Sequence, residues 1–159
     1  MEHPDLYHLM QVALEEAEKG LSEGEVPVGA VMATGQGQVI ARAHNRPIAL
    51  HDPTAHAEIL AIREACHSYG NYRLTDTLLV VTLEPCIMCM GAVINARIKR
   101  IVFGASDPKA GAAGSLYNPA SDNRLNHRIE VESGIMGDEC RSLMQDFFVD
   151  RRDKARTEG

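Results

Sequence analysis

"TLLVVTLEPCIMCMGAVINARIKRIVFGA", Thr77–Ala105, decides the fold. Its first part, "TLLVVTL", is apolar on both faces of an extended chain, the mark of a strand covered on each side. "PCIMCMGAVINARI" then reads as a helix, with Pro85 near the first turn, where a missing N–H costs nothing. "RIVFGA" repeats the doubly apolar strand pattern. A strand, a helix and a second buried strand in this order predict a parallel pair joined by a helical crossover. In such sheets, sites form beyond the carboxyl ends of the strands, where helices begin.

Working outward, "DLYHLMQVALEEAEKGLSEG" carries Leu6, Leu9, Met10, Ala13, Leu14 and Ala17 at helical spacing, with Asp5 as N-cap. "VPVGAVMA" and "QVIARA" read as a hairpin around the turn "TGQG". Pro27 and Gly29 inside the first of them imply an edge or a close backbone approach. "PTAHAEILAIREA" predicts a helix over roughly Thr54–His67. "GASDPKAGAAGS" is a loop by turn chemistry, and "RIEVES" alternates as a last strand. "GDECRSLMQDFFVDRR" closes the chain as an amphipathic helix. Asp138 is its cap candidate, with Cys140, Leu143, Met144, Phe147 and Phe148 on its inner side. The order α-β-β-α-β-α-β-loop-β-α, without repeat or linker, predicts one α/β domain over residues 1–159: a largely parallel core sheet with helices on both faces.

At 45% hydrophobic and 24% charged residues, a chain of 159 can bury a core and remain soluble. No signal peptide is visible, and the longest apolar runs, such as Leu78–Val81, are too short to span a bilayer, so the cytoplasm is the default location. A net charge of −6 argues against nonspecific nucleic-acid binding. Two basic islands, Ala96–Arg100 and Asp150–Arg156, read first as solvated helix ends complementing the helix dipole.

The four cysteines suit metal binding or buried thiols better than a disulfide framework. Cys86 and Cys89 are three apart, so on a helix both sulfurs can reach one ion. Alone, this CxxC fits zinc, redox chemistry or chance. Cys66 and Cys140 fall on inward helix positions and read as small buried hydrophobes. His56 changes the balance. With Cys86 and Cys89 it makes the three-ligand nitrogen and sulfur set of a catalytic zinc, which keeps its fourth position for water. His56-x-Glu58 followed by Pro85-Cys86-x-x-Cys89 is the signature of zinc-dependent nucleobase deaminases, in which the Glu carries protons and is not a ligand. One puzzle accompanies it. His56 and Glu58 stand two residues apart, about 200° around a helix, and should point to opposite sides. The spacing makes sense if the site lies off the first turn of the helix and faces the start of "PCIMCMGAV".

Outside this motif, "EVPVGAV" (Glu25–Val31), "NRPI" (Asn45–Ile48), "HDPTAHAE" (His51–Glu58), "TLEPCIMC" (Thr82–Cys89), "FGASDPKAGAAGS" (Phe103–Ser115), "LNHR" (Leu125–Arg128) and "DFF" (Asp146–Phe148) follow one another as in the bacterial tRNA-specific adenosine deaminases. The chain resembles that family over nearly its whole length. The resemblance implies a cytidine-deaminase-like α/β/α sandwich with a mixed five-stranded sheet, one Zn²⁺ per subunit, and a homodimer that reads tRNA anticodon stem-loops. It implies hydrolysis of the wobble adenosine to inosine. By position, His56, Cys86 and Cys89 match the zinc ligands and Glu58 the proton shuttle. Asn45 matches a side chain that hydrogen-bonds the flipped base, and Ala57 a backbone amide that touches it. Asp107 lies in the loop that meets the anticodon, while Phe148 and Arg152 lie in the helix that flanks the RNA. Val28 is a candidate pocket wall, or simply core. The basic Asp150–Arg156 island then reads as a phosphate-contacting patch.

Met90 departs from the small residue expected after Cys89. The zinc motif itself is shared with deaminases of free bases and nucleosides, so a guanine or cytosine deaminase is the alternative. A noncatalytic subunit would have no use for Glu58, and a redox protein would need a Cys86–Cys89 disulfide.

Overall fold

The computed structural model describes residues 3–158. Eleven short or regular segments follow one another: α1 (Leu6–Ser22), β1 (Gly29–Thr34), β2 (Val39–His44), α2 (Pro47–Leu50), α3 (Ala57–Tyr69), β3 (Thr77–Leu83), α4 (Ile87–Asn95), β4 (Arg100–Ala105), a 3-10 turn (Pro119–Ser121), β5 (Glu130–Ser133) and α5 (Gly137–Glu158). The five strands form one sheet in the order β2-β1-β3-β4-β5. β1 pairs antiparallel with β2 and with β3, whereas β3–β4 and β4–β5 are parallel. The sheet is therefore mixed, and its parallel half is the one that the β3–α4–β4 stretch demands.

Alternation along the central strands builds two cores. Ala30 and Met32 of β1, Leu79 and Val81 of β3, and Ile101 and Phe103 of β4 pack with Ala57, Ala61 and Ala65 of α3 and Met90 and Val93 of α4. Their neighbours Val31, Ala33, Leu78, Val80 and Val102 pack on the opposite face with Leu9, Met10 and Ala13 of α1 and Cys140 of α5. Helices thus cover both faces, giving the three-layer α/β/α sandwich. Gly29 is required where α1 crosses β1, because a Cβ there would overlap the Ala13 carbonyl oxygen. Gly104 plays the same part under α5, against the Cys140 sulfur.

Asp5 caps α1 as expected, its side chain accepting from the His8 amide at 3.1 Å. Four expectations shift. Asp138 does not cap α5 but lies in its first turn, since the helix begins at Gly137. β1 starts at Gly29, so Pro27 precedes the strand and removes no ladder bond. The single turn α2 was hidden because four residues carry no readable period; Glu25 creates it by accepting from the Ile48 and Ala49 amides. Phe148 is not on the inner side of α5 but 49% exposed, since α5 continues to Glu158 past the edge of the core. Met90 is fully buried, filling space beneath α4. Among the described residues, no helix is long and apolar enough to cross a membrane.

Candidate active site

His56 and Cys86 each stand one residue before a helix, as the N-caps of α3 and α4, with extended backbones. Neither uses its side chain to cap. Both are therefore free to meet in front of the helix ends, beyond the carboxyl end of β3. His56 Nδ1 lies 3.6 Å from the Cys86 sulfur and 3.6 Å from the Cys89 sulfur. Among the described residues this is the one group of three or more metal-ligating side chains whose donor atoms all fall within 4.8 Å of one another. A tetrahedral zinc with the usual Zn–N and Zn–S bond lengths separates nitrogen from sulfur by about 3.6 Å. The donor set and its spacing fit zinc.

Two helix N-termini aim their positive ends at this point, which favours thiolate. The Cys86 thiol falls to about 4, chiefly because Cys89 donates to it, with His56 adding to the effect against the penalty of burial. Cys89 is pushed up, since it keeps the proton beside that thiolate. His56 is raised mainly by its bond to Cys86.

Glu58 occupies the second position of α3, 4% exposed. Burial pushes its carboxyl above the usual range. It stands outside the three-residue group. The 200° objection disappears because His56 is a cap with ψ 152°, not a helical residue. Two residues that a helix would separate can then address one point from different angles.

The other residues expected at the site fall in two places. Asn45 directly follows β2, and its Oδ1 accepts from the Ala57 amide at 2.8 Å. The two residues expected at the base are thus bonded to each other, and Asn45 keeps its Nδ2 donors. Val28 is buried in the same core cluster as Ala57, and its carbonyl accepts from the Asn45 amide at 3.1 Å. Phe148 and Arg152 do come together, with Lys109, Arg151 and Ala155, around a shallow groove of about 440 Å³. Lys109 brings the Asp107 loop to this groove. Asp107 itself folds that loop, with Oδ1 accepting from the Lys109 and Ala110 amides at 3.1 and 3.2 Å. Cys66 and Cys140 are free thiols outside the cluster.

One residue that sequence reasoning missed is Glu84. It is 3% exposed and sits between β3 and Cys86. Burial raises its carboxyl, but hydrogen bonds from Ser115 and from the Asp107, Ala113 and Ser115 amides overcome this and hold it below the ordinary value. The signal was a lone charge at the end of a doubly apolar strand.

Comparison with known proteins agrees with this geometry. Residues 4–105 match the cytidine and deoxycytidylate deaminase zinc-binding region. The chain is 47% identical over 150 residues to a tRNA-specific adenosine deaminase of Haemophilus influenzae, covering 94% of this chain and 87% of that one. It superposes with a TM-score of 0.82 and 46% identity on a structure from a study of A-to-I editing by tRNA:A34 deaminases at the wobble position of transfer RNA, covering 86% of this chain and 98% of that one. A guanine deaminase from Nitrosomonas europaea shares the fold with a TM-score of 0.78 at 27% identity, covering 92% and 86%.

Proposed function

The chain belongs to the cytidine and deoxycytidylate deaminases and, among them, to the tRNA-specific adenosine deaminases, and on that premise we propose that it hydrolyses the wobble adenosine of a tRNA anticodon to inosine. The observation that carries this reading is the degree of the likeness. Identity to tRNA-specific adenosine deaminases is 46–47% over most of the chain, against 27% to the guanine deaminase, which shares the fold over a similar length. The exposed Phe148 and the cationic groove beside it fit a partner made of stacked bases and phosphates. The single domain of residues 1–159 works as a homodimer in the cytoplasm, where its tRNA substrate resides.

His56, Cys86 and Cys89 hold one zinc ion per subunit. When bound, zinc supplies the Lewis acidity that makes water an accessible nucleophile near neutral pH. Glu58 takes the proton released from water and delivers it to the base ring nitrogen. It then takes the remaining proton from the hydroxyl newly bonded to the base carbon and gives it to the departing amine, so the carbon–nitrogen bond breaks, and adenosine and water become inosine and ammonia. One carboxylate moves both ways, and its burial matches its affinity to this task. An anticodon loop already splays its bases, so bringing the adenosine into the site is cheap. Asn45 offers Nδ2 to an acceptor on the base edge. The Ala57 amide, already donating to Asn45, would share that proton with the base. Val28 contributes apolar wall, and Asp107, Phe148 and Arg152 flank the neighbouring nucleotides.

The test sets an anticodon stem-loop carrying a wobble adenosine against free adenosine, guanine and cytosine, each with the zinc-loaded protein. Inosine in the RNA, with little turnover of the free compounds, is the expected result. Turnover of free guanine or cytosine with an untouched stem-loop would replace this reading with that of a base deaminase.

A further inference from the structure

We infer that Glu84 is a positioning residue, which builds the anticodon-facing loop 106–117 onto the turn that carries Cys86. This inference rests on the reading of the protein as a tRNA deaminase. A carboxylate buried to this degree must find donors. Glu84 finds four, and all come from one loop. Oε1 accepts from the Asp107 amide at 3.0 Å and from the Ser115 hydroxyl. Oε2 accepts from the Ala113 amide at 2.9 Å and the Ser115 amide at 3.0 Å. Among the described residues no cation shares in this, so the carboxylate acts as a template for backbone.

The loop is shaped to receive it. Gly111 lies against the carboxyl group, and a Cβ there would overlap the Glu84 carboxyl carbon. The next residue of the turn, Pro85, accepts from the Ala112 amide at 2.7 Å. Residues 84, 85 and 86 therefore grip the loop twice and then supply a metal ligand. Loop and metal centre are referenced to one another through three consecutive residues. Apart from this grip, the loop is held by a few bonds of its own, such as Gly111 N to Asp107 O at 2.8 Å and Leu116 N to Gly111 O at 2.9 Å. Asp107 and Lys109 sit on this loop, so their placement relative to the reacting base depends on a carboxylate outside the metal-ligating group.

Wild type, Glu84→Gln and Ser115→Ala are compared in zinc content, amide hydrogen exchange and steady-state kinetics on the anticodon stem-loop. Gln keeps the size of Glu but turns one acceptor into a donor that faces amides. E84Q is expected to hold zinc as wild type does and to exchange the Asp107, Ala113 and Ser115 amides about tenfold faster. Its KM should rise about tenfold with kcat within about threefold, the split that a loss of substrate positioning gives. S115A should move KM in the same direction, about two- to fivefold. Unchanged KM in E84Q, or loss of zinc with collapse of kcat, overturns the inference. Should E84Q fail to fold, S115A decides, and an unchanged KM there overturns it. If wild type makes no inosine, the deaminase reading fails instead, while the exchange data still show whether Glu84 holds the loop.

Discussion

At the scale of single residues, the site pairs two side chains released from helical geometry with two, Glu58 and Cys89, from the first turns of α3 and α4. His56 and Cys86 are caps, so their ligand atoms project past the helix ends rather than around the barrel. That His56, Cys86 and Cys89 come together was legible in the sequence, because metal-ligating chemistry resides in residue type and spacing. The angle between His56 and Glu58 was legible as a condition, that the site lie off the first turn of the helix; His56 meets it by standing as the cap, one backbone torsion away from a helical residue. Glu84 was illegible for another reason: its donors are mostly backbone amides, which leave little trace in residue type. Cys86→Ala removes one of the three proposed ligands and should lower zinc well below one per chain in metal analysis; stoichiometric zinc would exclude Cys86 from the set. Asn45→Ala deprives the first amide of α3 of its acceptor and, on the proposed reading, the base of a donor. A stability loss of about 1 kcal/mol in urea titration, with a drop of about tenfold or more in kcat/KM, is expected.

At the scale of elements, the strand–helix–strand core could be read directly, since doubly apolar strands have few other homes. β5 was legible by alternation, although it is an edge strand whose side chains are largely exposed. α2 was not, because a distant carboxylate, Glu25, defines it. Glu16 joins elements in the same manner, from α1 to β2. Its carboxylate accepts from Lys19, Arg42 and His44. Although burial raises it, these partners hold the Glu16 carboxyl below the ordinary carboxylate value. A group depressed on folding stabilises fully above its unfolded value, near 4.5, and that contribution is lost as pH falls through the folded value. Urea midpoints should therefore fall below about pH 4.5, and Glu16→Gln should flatten that decline while lowering stability at neutral pH. An equally steep decline in the variant would assign the acid sensitivity elsewhere. Gly29→Ala forces a methyl onto the backbone of α1 and should cost about 1–3 kcal/mol in the same measurement.

At the scale of the whole molecule, an acidic protein carries a local cationic groove that suits the RNA partner proposed for it. A net charge of −6 suppresses stray binding, while Lys109, Arg151 and Arg152 converge beside Phe148. The sequence showed this island as a helix end; only the fold brings the loop lysine to it. Arg152→Ala should weaken stem-loop binding and reduce the slope of log K against log salt by about 0.7–0.9, read by anisotropy at several salt concentrations. The central claim is the division of labour between three residues that hold zinc and one that moves protons. Its most direct measurement pairs metal content with inosine formation in Glu58→Ala. The account predicts zinc at the wild-type level and at least a hundredfold loss of inosine, in keeping with the ~10²–10⁴-fold contribution of a positioned acid–base group. Zinc lost along with activity, or activity retained without the carboxylate, would contradict it.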